Sequence, residues 1–329
     1  MGAYRCCADP GTGGCNGIAG SLGQCRDDRS LDGVRLTLKP SYQTVHGMLM
    51  PLGFPLETLA SSFEFTPDAD DVVLATYPKC GTTWMQNILY MLYHEGREIP
   101  SDQSVTELVP HLEEMGADFV RARPRPRLIK THLQRLDSLW RDTARYVLVF
   151  RNPFDCVVSF YHHTRGFVKH YDFADGTFED YLPLFVAGEV DFGDYFDHVV
   201  SWLSVCEHQN VFWTTFERMK ADLDAEVARL ASFLGGAAGA AAADSALRER
   251  IVAASSFSSM AKNQQRWSSR RPDGMTDFVR KGIVGDWRRQ FTPATMRPLL
   301  ARADRSLAET SLAEEWSDIL REAHNFCEN

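Results

Sequence analysis

Four short, largely apolar runs, each breaking into a polar turn and then into residues at helical spacing, constrain this chain more than anything else in it. They are Asp71 to Thr76 with its apolar centre Val72 to Ala75, Leu128 to Thr131, Tyr146 to Phe150, and Val211 to Phe216. Runs of this length without polar alternation read as strands buried on both faces, and helices between them imply a parallel sheet. Trp84, Ile88, Leu89 and Leu92 mark one helix, with Gly96 as its stop; Leu223, Val227, Leu230 and Leu234 mark another that ends at Gly235-Gly236. Asn152 suits a helix cap and Pro153 the first helical position. Ligands of such sheets gather beyond the carboxyl ends of the strands, and Lys79, Lys130 and Arg151 all fall there.

Two of the turns have the chemistry of anion sites. One reads Tyr77-Pro78-Lys79-Cys80-Gly81-Thr82-Thr83-Trp84, the other Arg151-Asn152-Pro153. The first N–H groups of a helix lack internal acceptors and lie at the positive end of its dipole, so both turns favour an anion. Gly81 permits close backbone approach, Thr82 and Thr83 add hydroxyls, and Lys79 adds a mobile charge. The G-x-x-x-x-G-K-[ST] spacing is absent, which disfavours an ordinary Mg-nucleotide site and points to another phosphate ester.

At this point the chain resembles the cytosolic sulfotransferases, whose 5′-phosphosulfate loop reads Y-P-K-S-G-T-T-W; Cys80 here replaces the Ser. Three more segments match the family in order: Lys130-Thr131-His132-Leu133, the run RNPFDCVVS from Arg151 to Ser159, and Arg280-Lys281-Gly282-Ile283-Val284-Gly285-Asp286-Trp287. The expected fold is a single α/β domain, a central parallel sheet flanked by helices with a P-loop-like phosphosulfate-binding turn, over residues 40–329. A disordered Cys/Gly-rich extension is expected over 1–39. The resemblance implies an enzyme that moves a sulfuryl group from 3′-phosphoadenosine 5′-phosphosulfate (PAPS) to the hydroxyl or amine of a small acceptor, such as a phenol, catecholic amine or steroid, by in-line displacement. The bisphosphate product would be PAP, and no metal is required.

His132 suits the general base, since an imidazole titrates near neutral pH and this one stands beside Lys130 at a strand end. The resemblance gives Lys79 the bridging oxygen, Lys130 the sulfuryl oxygens, and Arg151 with Ser159 the ribose 3′-phosphate, Ser159 also restraining Lys79. It places Lys79, Cys80, Gly81, Thr82 and Thr83 around the 5′ end and Phe278, Val279, Arg280, Lys281 and Gly282 around the 3′-phosphate. Trp84 and Phe257 would sandwich adenine, with Ser255 and Met260 nearby. Phe216 replaces a family Tyr, which removes a hydroxyl contact on the adenine side, and Ser255 replaces a Thr. The family's dimer motif K-x-x-x-T-V-x-x-x-E becomes Arg288, Thr292, Pro293 and Arg297, so a monomer or an atypical dimer is expected.

The formal charge of −9 argues against a nucleic-acid or anionic-membrane partner. No apolar run suits a membrane span and the first residues lack a secretion signal, so a cytoplasmic location is expected. Cys6, Cys7, Cys15 and Cys25 form no C-x-x-C pair, and His162-His163 are not spaced i, i+4, so no metal site is proposed. The acceptor wall is expected around Phe54, Met115 to Phe119 and Phe160 to Phe173, with Asp172 or Asp175 meeting an ammonium group. Arg121, Arg123, Arg125 and Arg127 read as a solvated turn, and Gly235 to Ala243 as a flexible connector. Two other readings share the anion sites: a small-molecule or nucleotide kinase, which lacks its Walker spacing here, and a non-catalytic nucleotide-binding relative, which an intact His132 disfavours.

Overall fold

A computed structural model describes residues 37–262, 264–267 and 279–328. The expected extension over 1–39 therefore falls almost wholly outside the described residues. The first two strands, β1 (Tyr42–Val45) and β2 (Met48–Pro51), form an antiparallel hairpin that the sequence reading did not anticipate. His46 and Gly47 both have positive φ, 49° and 80°, as a two-residue hairpin turn requires. Backbone bonds from Ser41 to Tyr171, Leu52 to His170 and Phe192 to Leu49 tie this hairpin to distant segments, which brings Pro51 and Phe54 to the site described below.

The main sheet holds β3 (Val72–Ala75), β4 (Leu128–Thr131), β5 (Arg145–Phe150) and β6 (Val211–Thr215), all parallel, in the order β4-β3-β5-β6. The register pairs Val73 with both Ile129 and Tyr146, and Val147 with Phe212. Side chains alternate across the sheet. Val73, Ala75, Ile129, Tyr146 and Leu148 enter the core on one face; Val72, Leu74, Leu128, Val147 and Val149 enter that on the other. Phe216, expected to end the last strand, instead begins the helix Phe216–Ala221, because Thr215 caps it by accepting the Arg218 N–H at 3.0 Å.

From β3 the chain runs to β4 on one side and then crosses to β5 on the other. The crevice between β3 and β5 is thus the topological switch point where a doubly wound sheet binds its ligand. The turn after β3 starts the helix Thr82–Tyr93, and the turn after β5 starts the helix Pro153–Gly166, whose first N–H groups are capped by Asn152 Oδ1 accepting from Asp155 at 2.9 Å. Leu38–Asn329 makes one compact unit.

Two expectations are corrected here. Gly235 to Ala243 is no loose connector: residues Ala238–Ala242 form a 3₁₀ turn, and Ala238 and Ala241 are buried against the Leu223–Leu234 helix core. Arg127 is not solvated. It is 3% exposed and pairs with Asp71 at 2.6 Å, stapling together the residues that lead into β3 and β4.

Candidate active site

A cavity of about 240 Å³ opens over the β3–β5 crevice. One side of it begins with Lys79, whose φ of 69° is left-handed, and Gly81, which caps the following helix at φ 101°. A side chain at Gly81 would be strained in that conformation and would press on the Phe216 ring, 3.1 Å from the position of a Cβ. Thr82 and Thr83 line the cavity, and Thr82 Oγ1 lies 2.6 Å from Thr76 Oγ1 at the end of β3. Lys79 Nζ stands 3.5 Å from His163 Nδ1. Burial, with Lys130 and Arg151 nearby, pulls the Lys79 ammonium down to about 7. Cys80 departs from its expected place: its thiol points into the core, 3.9 Å from Cys156 Sγ and 1% exposed, so its side chain is not part of the cavity wall.

Arg151 enters the cavity from the end of β5 and is 6% exposed. Its guanidinium donates to the Lys79 carbonyl at 3.0 Å and the Ile283 carbonyl at 3.4 Å, and its carbon sits 4.3 Å from the Phe216 ring centre. The hydroxyl-free Phe216 thus serves as a cation–π platform and packs on Trp84, ring centres 5.6 Å apart. Arg151 Nε and Trp84 Nε1 are buried without a hydrogen-bond partner. Unspent donors on a buried cation and a buried indole fit an anionic, planar ligand. Ser159 lines the same cavity one helical face along.

Arg280 and Lys281 close this side, held by Asp286 at 2.6 and 2.7 Å. Burial raises the Asp286 carboxyl, but the bonds from Lys281 and Arg280 outweigh it and keep it below its usual range. Asp155 accepts the Gly285 and Trp287 N–H groups at 2.7 and 3.1 Å, docking the whole turn on the helix that follows Arg151. Gly282 (φ 60°) lies against Phe257, which a Cβ would approach to 2.6 Å. Ser255, Phe257, Met260 and Val279 also line the cavity, while Asn87 holds the Ser255 hydroxyl at 3.0 Å. Phe278 lies outside the described residues.

His132 and Lys130 come from the end of β4. His132 Nδ1 is 2.8 Å from the Thr76 carbonyl oxygen, which can only accept, so Nδ1 carries the proton and Nε2 keeps its lone pair. Burial, then the charges of Lys130 and His111, hold its pKa well below 6.5. Burial lowers Lys130 as well, against the opposing pull of Glu114 and Glu113. The rest of this end is Pro51, Phe54, Phe167, His170, Asp191 and Phe192, with His111 and Glu114 beside them.

Of the expected acceptor wall, Phe54, Phe160, Phe167 and Tyr171 line the cavity, whereas Met115 to Phe119 do not and Asp172 and Asp175 are exposed on the outer surface. The sequence reading missed Glu113, Asp155, Asp191 and Glu217. Glu217 accepts from Asn152 Nδ2 at 2.6 Å and so fixes the turn behind Arg151. Nothing in the mixed stretch Val109 to Met115 marks Glu113 over its neighbour Glu114.

Cationic turns at two strand ends, facing a neutral imidazole across one cavity, define a nucleotide-dependent group-transfer enzyme. Comparison with known proteins narrows this. Residues 69–311 match the sulfotransferase domain family. The chain is 34% identical to Sulfotransferase 1B1 of Mus musculus over 286 residues, covering 82% of this chain and 92% of that protein. It is 33% identical to Sulfotransferase 1A1 of Bos taurus, covering 80% and 90%. Mouse sulfotransferase SULT7A1 complexed with PAP superimposes with a TM-score of 0.66 at 25% identity, covering 87% of this chain and 99% of that one. Retinol dehydratase in complex with androsterone and PAP reaches 0.70 at 21% identity over 83% and 91%, which speaks to the fold alone. The chain belongs to the sulfotransferase family.

Proposed function

We propose that this sulfotransferase uses PAPS to sulfonate a hydroxyl of a small-molecule acceptor by in-line displacement, with His132 as general base and PAP as product. The observation that carries the reading is the His132 imidazole, locked by Thr76 into the tautomer whose Nε2 can take a proton, in the same cavity as two separate groups of cations. The residues fit the nucleotide: Arg151 Nε and Trp84 Nε1 are buried donors without partners, and Gly282 leaves room for Phe257 where a side chain would not. Lys79, Gly81, Thr82 and Thr83 would hold its 5′ end; Arg151, Ser159, Val279, Arg280, Lys281 and Gly282 its 3′-phosphate; Trp84, Ser255, Phe257 and Met260 its base.

When bound, PAPS supplies the sulfuryl group and a bisphosphate leaving group. The protein does the rest. His132 Nε2 would take the acceptor's proton, Lys130 would steady the charge on the transferred sulfuryl oxygens, and Lys79 would stabilise the negative charge that appears on the leaving group. A kinase reading is disfavoured by the missing Walker spacing and by two cation groups suited to two separate phosphates. Among the described residues no helix is long and apolar enough to cross a membrane; we place the enzyme in the cytoplasm.

The test is a panel of phenols, steroids, monoamines and alcohols incubated with sulfate-labelled PAPS, using wild type, His132→Ala and Lys79→Ala. Label should pass to at least one acceptor in the wild type and drop sharply in both variants. Binding of PAP with no transfer to any acceptor would favour a non-catalytic relative, and undiminished transfer by His132→Ala would remove the base assignment.

A further inference from the structure

A second imidazole shares the cavity with His132, and the reaction above does not use it. His111 is 3% exposed, lines the cavity, and has its ring centre 5.0 Å from that of His132, edge to face. The backbone sets this approach: the Lys130 N–H donates to the Pro110 carbonyl at 2.8 Å, and His111 bridges to Lys130 alongside β4, just before the short helix Leu112–Met115. Phe54 and Phe192 pack on the same ring, at 5.2 and 6.3 Å between centres.

Each nitrogen of His111 faces an acid. Nε2 lies 3.2 Å from Glu113 Oε2, and Nδ1 lies 3.5 Å from Glu114 Oε2. Glu113 is 0% exposed and ionised. Its Oε1 accepts from Thr131, His132 and Leu133, while its Oε2 has no hydrogen-bond partner. An enclosed carboxylate oxygen without a donor needs a cation beside it, and among the described residues His111 is the group within ion-pair distance. A neutral imidazole carries one N–H and can serve one acid; the imidazolium carries two and serves both.

Other groups face His132 as well. Lys130 on its own strand acts on both acids, but burial opposes the lysine's charge. His198, on the helix Tyr195–Leu203, is pulled down to about 3 by burial and so is uncharged at neutral pH. The Thr76 carbonyl takes the Nδ1 proton, and Lys79, His163, His170 and Asp191 line the same cavity. Against this background the two acids at His111 are the groups that would hold a proton on the base. A carboxylate beside an imidazole favours its charged form, which has no lone pair left for an acceptor.

We propose that His111 is a positioning residue for sulfuryl transfer: held as an imidazolium between Glu113 and Glu114, it neutralises the two acids and so leaves His132 unprotonated, with Nε2 open to the acceptor's proton. This rests on the reading of His132 as the base and adds the group that keeps it ready.

The experiment is the pH dependence of kcat for the full chain at saturating PAPS, with 2-naphthol as acceptor, in wild type, His111→Phe and His111→Lys. The phenyl ring keeps a flat surface against Phe54 and Phe192 but discards the charge. The acid limb of His111→Phe should therefore move up by about one pH unit or more, roughly a tenfold gain in proton affinity at His132, and its deficit in rate should shrink as pH rises. His111→Lys returns a cation and should bring the limb back towards its wild-type place. A limb in the same place in all three, or a rate lowered evenly across the pH range in His111→Phe, overturns the assignment. Should the variants fail to fold or 2-naphthol not be turned over, nitrogen NMR of the wild-type imidazoles decides the matter: at neutral pH both His111 nitrogens should carry protons, and His132 should carry one on Nδ1 alone. A bare nitrogen on His111 at neutral pH overturns this inference and leaves the base in place; transfer undiminished by His132→Ala sinks the base, and the role of His111 with it.

Discussion

The backbone N–H of His132 donates to the buried carboxylate of Glu113 at 2.6 Å. The same Glu113 oxygen accepts from Thr131 Oγ1 at 2.7 Å and from the Leu133 N–H at 3.0 Å, so one acid fixes the turn that presents the imidazole. Burial raises this acid, but His111 and these donors outweigh it and keep the carboxyl below its usual range. Glu113 is therefore a positioning residue, and Glu113→Ala should lower kcat by roughly tenfold to a hundredfold while PAP affinity is kept. Glu113→Gln, which retains one acceptor, should recover part of the loss. Calorimetric titration with PAP beside steady-state rates reads the two effects apart, and a parallel loss of both would mean general unfolding instead.

Removing the imidazole tests a different step. His132→Asn should cost about 10² to 10⁴ in kcat, the range for loss of a positioned base. Because burial and the neighbouring Lys130 and His111 hold the His132 pKa well below 6.5, the acid limb of the wild-type rate profile should also lie below pH 6.5. A limb at the usual histidine value, or its persistence in His132→Asn, would assign it to another group.

Lys79 links cofactor binding to pH. Its pKa is about 7 in the folded protein against 10.5 for an ordinary lysine, so between these values the unfolded chain holds the extra proton and the stability contributed by this group rises with pH. Below pH 7 the full cost of burying the cation is present. A phosphate group beside Lys79 favours the charged form, so PAP should bind with proton uptake above pH 7 and with affinity that falls as pH rises further. Titrations in buffers of different ionisation heat measure the uptake, which Lys79→Met should abolish.

The sheet was legible because its strands are short unbroken apolar runs and its turns carry Gly, Pro and capping residues, signals that act within a few positions. Leu128–Thr131 is a strand with the expected bounds, and Asn152 with Pro153 opens a helix as their chemistry requires. The unforeseen parts depend on partners far along the chain. Arg127 looks like one of several loop arginines until Asp71, 56 positions earlier, is brought beside it. Asp191 and Tyr171 likewise meet only when the hairpin of β1 and β2 gathers their segments, and no local pattern marks that approach. Cys80 sits within the run Tyr77 to Trp84, yet the turn aims its thiol into the core at Cys156, a direction that no local pattern marks.

The residues at the altered dimer motif make contacts within the chain. Arg288 forms an ion pair with Glu322, Arg297 donates to the Cys327 carbonyl at 2.8 Å, and Thr292 with Pro293 begins the helix Pro293–Leu307. Contacts within the chain thus occupy the Arg288 and Arg297 side chains. The protein should elute as a monomer at micromolar concentration, checked by light scattering; a stable dimer at that concentration would overturn the expectation.

The Arg127–Asp71 pair gives the sharpest stability prediction. Both groups are buried, 3% and 0% exposed, and Arg127 forks onto Asp71 with two bonds of 2.6 Å while also reaching Asp68 at 2.5 Å. Arg127→Met removes the cation and leaves Asp71 enclosed without its charge partner, which should cost about 3 to 5 kcal/mol in urea unfolding. Asp71 has one further role, since its carboxylate also accepts the Asp68 N–H at 2.7 Å, so replacing it alone should loosen the turn before β3 as well. Pairing Arg127→Met with Asp71→Asn keeps that turn bond and discharges the acid, and should restore more than half of the loss. A double variant no more stable than Arg127→Met would place the stabilisation in arginine packing rather than in the ion pair.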